Sequence, residues 1–228
     1  MSGAGGTTVV TVRGSDESVE ARLRSGLLVC WCGGMLRPWG HAPPRRVASF
    51  AGLAGTRPRR AICRGGCGRT HVLLPGFLLS RRRYAAPVIF AALALRAAGL
   101  KVSAVAARLR LPVPGRAGQW WSVPASTVSS WLSRFALRAG VLRQAFLAVL
   151  PLADPQARPV AAAGSPPGDA LAALEAVTAG LRARFAGLDT LAAHEVAVHL
   201  TGGMLLSPSL PVLAGNTSLF AVAAVCPS

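Results

Sequence analysis

Cys30-Trp31-Cys32-Gly33-Gly34 and Cys63-Arg64-Gly65-Gly66-Cys67-Gly68 are the two stretches on which the reading of this chain turns. They place four thiols in two pairs about 30 residues apart, and two hairpin knuckles with that separation supply a tetrahedral donor set to zinc. The glycines suit tight turns in which backbone amides approach the thiolates. Around the pairs, residues 27–74 are rich in Gly, Pro and Arg, with short alternating runs at 35–39 and 60–63. Such a segment has too little apolar material to fold unaided, so metal binding would supply folding free energy. The spacing is irregular. A ribbon knuckle normally has two residues between its cysteines, whereas here one pair has one and the other three. A ribbon that has lost its metal, or cysteines that are simply buried, are the competing accounts. His71, four residues after Cys67, and His41 are the conceivable substitute ligands, and both are read as surface or turn histidines.

Outward from the cysteines the grammar becomes helical. Pro87 suits a first helical turn, Val88, Ala92 and Leu95 share a face, and Gly99 is a terminator. Ser103 is read as the cap of a second helix carrying Val105, Ala106 and Leu109, stopped by Pro112. Residues 112–124 read as a Pro/Gly loop containing Trp120 and Trp121. A third helix begins at Ser126 with Val128, Trp131, Leu132 and Phe135 at helical spacing, and its pattern extends past Gly140 to Leu150. The stretches 102–109 and 126–135 have the apolar placement of a helix-turn-helix pair. The second helix of such a pair offers its outward side chains, here Thr127, Ser129, Ser130, Ser133 and Arg134, to base edges. Arg81, Arg82 and Arg83 precede the unit and suit phosphates. About a dozen residues separate the two helices, where the motif usually has three or four.

The ends of the chain are plainer. Residues 1–26 read as an N-terminal extension with a strand at 7–12 and a helical patch at 18–23. Residues 151–168 read as an Ala/Pro linker. Asp169 and Asp189 are expected to cap two C-terminal helices, the second closed by Gly202-Gly203. The first carries Leu171, Leu174, Thr178, Leu181 and Phe185. This pair is expected to pack on the basic domain or on a second copy, which allows a homodimer through residues 169–200. The expected class is α+β, with a small β zinc-ribbon-like module at 27–80, a mainly α helix-turn-helix domain at 81–150 and a C-terminal helical region at 169–228.

Charge is distributed unevenly. Residues 21–153 contain none of the eight acids, and only Arg13, Arg158, Arg182 and Arg184 of the 25 basic residues lie outside them. A GC-rich genome accounts for arginine in place of lysine, since Lys101 is the single lysine, but not for the missing acids. Such a segment repels itself in isolation and suits a surface facing a polyanion, nucleic acid before a membrane surface or an acidic protein. The first dozen residues lack the basic-then-apolar order of a signal peptide, and the apolar tail at 204–226 is interrupted by Pro, Gly and Asn. Five cysteines, an odd number, then argue for thiols or metal ligands in a cytoplasmic protein that does not enter a membrane.

These residues together resemble an uncharacterised family of high-GC bacterial proteins carrying a domain of unknown function, itself similar to the DNA-binding front ends of insertion-sequence transposases. The resemblance rests on Cys32-Gly33-Gly34 with Leu36-Arg37-Pro38-Trp39-Gly40, and on Cys63 and Cys67 leading into Thr70-His71-Val72-Leu73-Leu74-Pro75. It continues through Arg81-Arg82-Arg83, Ala106-Ala107-Arg108-Leu109, Ser126-Thr127-Val128 and Trp131-Leu132, and more loosely through Thr201-Gly202-Gly203, Leu205-Leu206 and Asn216-Thr217. It implies a zinc ribbon and a helix-turn-helix acting on DNA, and no established activity. The chain departs from the family pattern at both cysteine pairs and in the loop at 113–124.

Enzymatic readings find little support. Transposase-type nuclease chemistry needs convergent carboxylates for divalent metal ions, and the basic segment has none. His194-Glu195-Val196-Ala197-Val198-His199 is not a metalloprotease motif, because histidines five apart are rotated about 140° from one another on a helix. Ser165 and Ser207 lie in Pro-rich loops without an elbow motif. The expectation is a non-enzymatic, sequence-directed DNA-binding protein, a regulator or a transposase-like recognition module without a catalytic domain. An RNA-associated or structural ribbon protein, or a degenerate mobile-element relic, are the alternatives.

Overall fold

A computed structural model describes residues 8–207 of the chain. Its first half is a four-stranded sheet. Strands Thr8–Val12 (β1), Met35–His41 (β2), Arg59–Arg64 (β5) and Thr70–Pro75 (β6) lie in the order β1-β6-β5-β2, and Arg45–Ser49 (β3) and Gly52–Thr56 (β4) form a separate hairpin. β5 is antiparallel to both β2 and β6, whereas β1 runs parallel to β6. Pro38 sits in β2, an edge strand, where its missing N–H breaks no ladder bond. Residues 1–26, expected as an extension, contribute β1 and the helix Asp16–Ser25 (α1) to this unit. Ser15 caps α1, and Val10, Val12, Val19 and Leu23 share a core with Leu28, Leu36, Leu73 and the two buried cysteines.

The second half is helical, and the chain as a whole is α+β. Helices Ala86–Ala97 (α2), Val102–Arg108 (α3), Ala125–Ala136 (α4), Ala139–Ala153 (α5), Pro166–Arg184 (α6) and Ala193–Leu200 (α7) surround one apolar core. Val128, Trp131 and Phe135 of α4 point into it, as their spacing predicts. Several expectations are corrected. The loop expected at 112–124 contains half of a β-hairpin, Arg110–Pro112 (β7) paired with Trp120–Ser122 (β8). The third helix does not run through to Leu150; it breaks after α4, and α5 leaves at 59°. Ser103 lies inside α3 rather than capping it. Ser165, not Asp169, caps α6, with Pro166 at the first helical position, where its missing N–H costs nothing. α7 begins after Ala192, not at Asp189, and ends in the left-handed Gly202 and Gly203.

The expected linker is also shorter and less independent. α5 extends to Ala153, and Ala157 and Val160 pack on the core before α6 begins. α6 lies along α5, burying Ala170, Ala173, Leu174, Val177 and Leu181, so the C-terminal helices pack on the basic region, as one of the two expectations had it. The two halves are joined by bridges from Ala48 to Tyr84 and from Leu78 to Ala85. Among the described residues no single helix is long and apolar enough to cross a membrane. Asn216-Thr217 and Cys226 lie outside the described residues.

Candidate metal centre

Each cysteine pair is placed by a turn that the flanking strands close. Val29 bridges Met35, the Cys30 N–H donates to the Gly34 carbonyl at 2.7 Å, and the Gly33 N–H donates to the Cys30 carbonyl at 2.8 Å. The second pair occupies the β5–β6 turn, where the Cys63 N–H donates to the Arg69 carbonyl at 2.9 Å. Leu36 of β2 lies opposite Cys63 of β5, and this ladder pairing sets the two turns against each other. As a result the ligand atoms of Cys30, Cys32, Cys63 and Cys67 all lie within 4.8 Å of one another, close enough to hold a metal ion.

The residues present fit such an ion. Sulfur separations are 3.7 Å for Cys30–Cys67 and 3.5 Å for Cys32–Cys63. A tetrahedron with metal–sulfur bonds of about 2.3 Å has edges of about 3.8 Å. The glycines make room for it. A Cβ on Gly34 would stand 2.5 Å from Cys63 Sγ, and one on Gly66 would stand 2.7 Å from Cys32 Sγ. Backbone amides do approach the sulfur: the Cys67 N–H donates to Cys32 Sγ at 3.3 Å. The thiols differ in consequence. Hydrogen bonds from the backbone at Gly34 and Cys67 pull the exposed Cys32 down to about 6, while burial pushes Cys30 up to about 12 and raises Cys63.

His71 is not the surface histidine expected from the sequence. It is fully buried on β6, and its Nε2 stands 3.3 Å from Cys30 Sγ. Burial, with the charge of Arg69 second, holds its pKa below the usual imidazole value and so favours the neutral ring. The signal was in the strand period: His71 and Leu73 occupy alternate positions and therefore share the inward face. His41 is exposed on β2, with its Nε2 3.3 Å from Arg59 Nη1.

The candidate nucleic-acid residues are placed as follows. Ser129, Ser130, Ser133 and Arg134 are exposed on α4, and Thr127 is half-buried. Arg81 and Arg83 are exposed, Arg81 with a left-handed φ of 58°. Arg82 differs from them: its Nη2 donates to the Leu206 carbonyl at 2.9 Å. Burial, and next the charge of Arg134, lowers its pKa. Several of the acids serve backbone. Asp154 accepts from the Gln156 N–H, Asp169 from the Ala163 N–H and Glu195 from the Ala192 N–H. Within the sheet unit, Glu20 is paired with Arg24 and Arg59. His199 is buried and its Nδ1 faces the Glu195 carbonyl at 2.8 Å, while His194 packs near Phe90. No family model, no curated protein and no solved structure matches this chain.

Proposed function

We propose that the protein binds duplex DNA without catalysing a reaction on it, that α3 and α4 act as a helix-turn-helix pair, and that the four cysteines hold zinc. The observation that carries this reading is the division of α4. Val128, Trp131 and Phe135 are buried, while Ser129, Ser130, Ser133 and Arg134 face solvent within a segment that has no acidic residue. In a major groove, Arg134 offers a bidentate donor pair to guanine and the hydroxyls offer permissive contacts. Arg81 and Arg83 serve phosphates, while Arg82 is committed to the Leu206 carbonyl. Zinc suits an all-sulfur tetrahedral site, and its role here is to fold the turns rather than to act on a substrate. Such a chain serves as a regulator or as the recognition module of a separate recombinase.

Fluorescence anisotropy against labelled duplexes of varied sequence tests the reading. Affinity should fall with salt at a log–log slope of about −5 if roughly six phosphates are neutralised. Arg134→Ala should narrow the affinity difference between preferred and random duplexes, and the pair Arg81→Ala with Arg83→Ala should weaken all duplexes alike. A protein that ignores duplex at low ionic strength refutes the function. One that prefers structured RNA in direct competition moves it to RNA.

A further inference from the structure

The β7–β8 hairpin fills the interval between α3 and α4, and its two faces differ. Leu111 and Trp121, a cross-strand pair, turn inward: Leu111 is buried and Trp121 packs on Tyr84 with ring centroids 6.0 Å apart. Tyr84 in turn meets Trp131 of α4 edge-on at 4.9 Å. Three aromatic rings therefore fix the hairpin to α4 as one body. Because side chains alternate across a strand, the neighbouring pairs Arg110–Ser122 and Pro112–Trp120 face outward. Arg110, Ser122 and Trp120 are exposed, Trp120 with half of its surface in solvent, and Arg116 stands exposed in the turn. An indole left in water on a rigid hairpin, flanked by arginines and with no acid nearby in sequence, is complementary to a polyanion that also offers apolar sugar and base surfaces.

The geometry points to this hairpin as a second DNA-contacting element, a wing preceding α4, which rests on the reading of α4 given above. Arg110 and Arg116 contact phosphates of the duplex, and Trp120 packs against its sugar edge. Ser122 and Ser126 are four residues apart, a span of at most about 14 Å. One turn of B-DNA covers about 34 Å. The wing is thus close enough to α4 to meet the duplex within the same helical turn.

The test uses the full chain and a mixed-sequence duplex about three helical turns long. The pair Arg110→Ala with Arg116→Ala should weaken binding and reduce the magnitude of the salt slope by about 2, at about 0.9 per phosphate lost. Trp120→Ala should weaken binding about tenfold with the slope unchanged, since an indole releases no counterion. Trp120→Phe should restore most of that loss. Circular dichroism melts of each variant should match the parent, because the changed side chains are exposed. Parent-like affinity in all these variants overturns the wing and leaves the α4 reading standing. A parent that does not bind duplex overturns both.

Discussion

Gly34 and Cys63 are in contact across the two turns of the sheet unit: the Cβ that Gly34 lacks would lie 2.5 Å from the sulfur, and 3.0 Å from the Arg64 carbonyl oxygen. Neither neighbour can yield, one being a strand-held thiol and the other backbone. Gly34→Ala should push the turns apart and weaken metal binding by about tenfold or more. Gly33→Ala supplies the contrast. Nothing lies within 4 Å of a Cβ there, and the only cost is its φ of 84°, about 1 kcal/mol of backbone strain with the sulfurs undisturbed. Competition of each variant against a chromophoric chelator measures the difference. Equal affinities would mean that the turns are not held as tightly as the Gly34–Cys63 distance implies.

The thiols of the metal-free protein should react in a fixed order. Thiolate is the nucleophile, and at pH 7 Cys32, held at about 6 by backbone amides, is mostly ionised while Cys30, pushed up to about 12 by burial, is not. Brief iodoacetamide labelling after chelation should mark Cys32 before Cys30 in the mass spectrum. The same depression fixes a sign for stability. Cys32 titrates lower in the folded protein than in the unfolded chain, so its contribution is complete above its ordinary value of 9.0 and is lost as pH falls through about 6. Indiscriminate labelling of the two would contradict the amide contacts at Cys32.

His71 should support the centre without joining it. Its Nε2 is 3.3 Å from Cys30 Sγ, a hydrogen-bonding distance to sulfur, and the four cysteine sulfurs already lie close enough together to hold a metal ion without it. His71→Phe preserves the buried ring and removes the nitrogen. Cobalt bound by the variant should keep the thiolate charge-transfer intensity of a four-sulfur site, while loss to a chelator accelerates by about ten- to a hundredfold. A spectrum that loses one nitrogen donor on mutation would make His71 a ligand and one cysteine a bystander.

Much of this was legible because the signals were local. The four cysteines announce themselves, and the alternation 0, 3, 4, 7 of Val128, Trp131, Leu132 and Phe135 fixes α4. What compensates the irregular cysteine spacing is not local: it is the opposition of Leu36 and Cys63 in a ladder. The same holds for β1, whose partner β6 lies about 60 residues away and runs parallel. The strands of the β7–β8 hairpin have three residues each, too few for a period to show. In α6 the spacing by threes and fours picks out Leu171, Leu174, Thr178, Leu181 and Phe185. Leu174, Thr178 and Leu181 are indeed buried, but Ala170, Ala173, Val177 and Gly180 form much of the packed face, and in an Ala-rich helix such a face has almost no hydropathy contrast.

That small-residue face yields the last prediction. A Cβ on Gly180 would stand 2.9 Å from the Cβ of Asp154 and 3.1 Å from the backbone carbon of Ala153, so α6 reaches the end of α5 only because position 180 has no side chain. Gly180→Val should wedge the two helices apart and cost about 2–3 kcal/mol, the range for overfilling a packed core. For a chain of this size that lowers the melting temperature by roughly 4–12 °C. The shape of the transition carries more than its midpoint. Phe135 of α4, Phe146 of α5 and Leu174 of α6 belong to one buried cluster, so helical content should still be lost in a single step, shifted as a whole. A variant in which residues 166–200 melt first, leaving the α2–α4 signal at its parental midpoint, would make the C-terminal helices a separable domain.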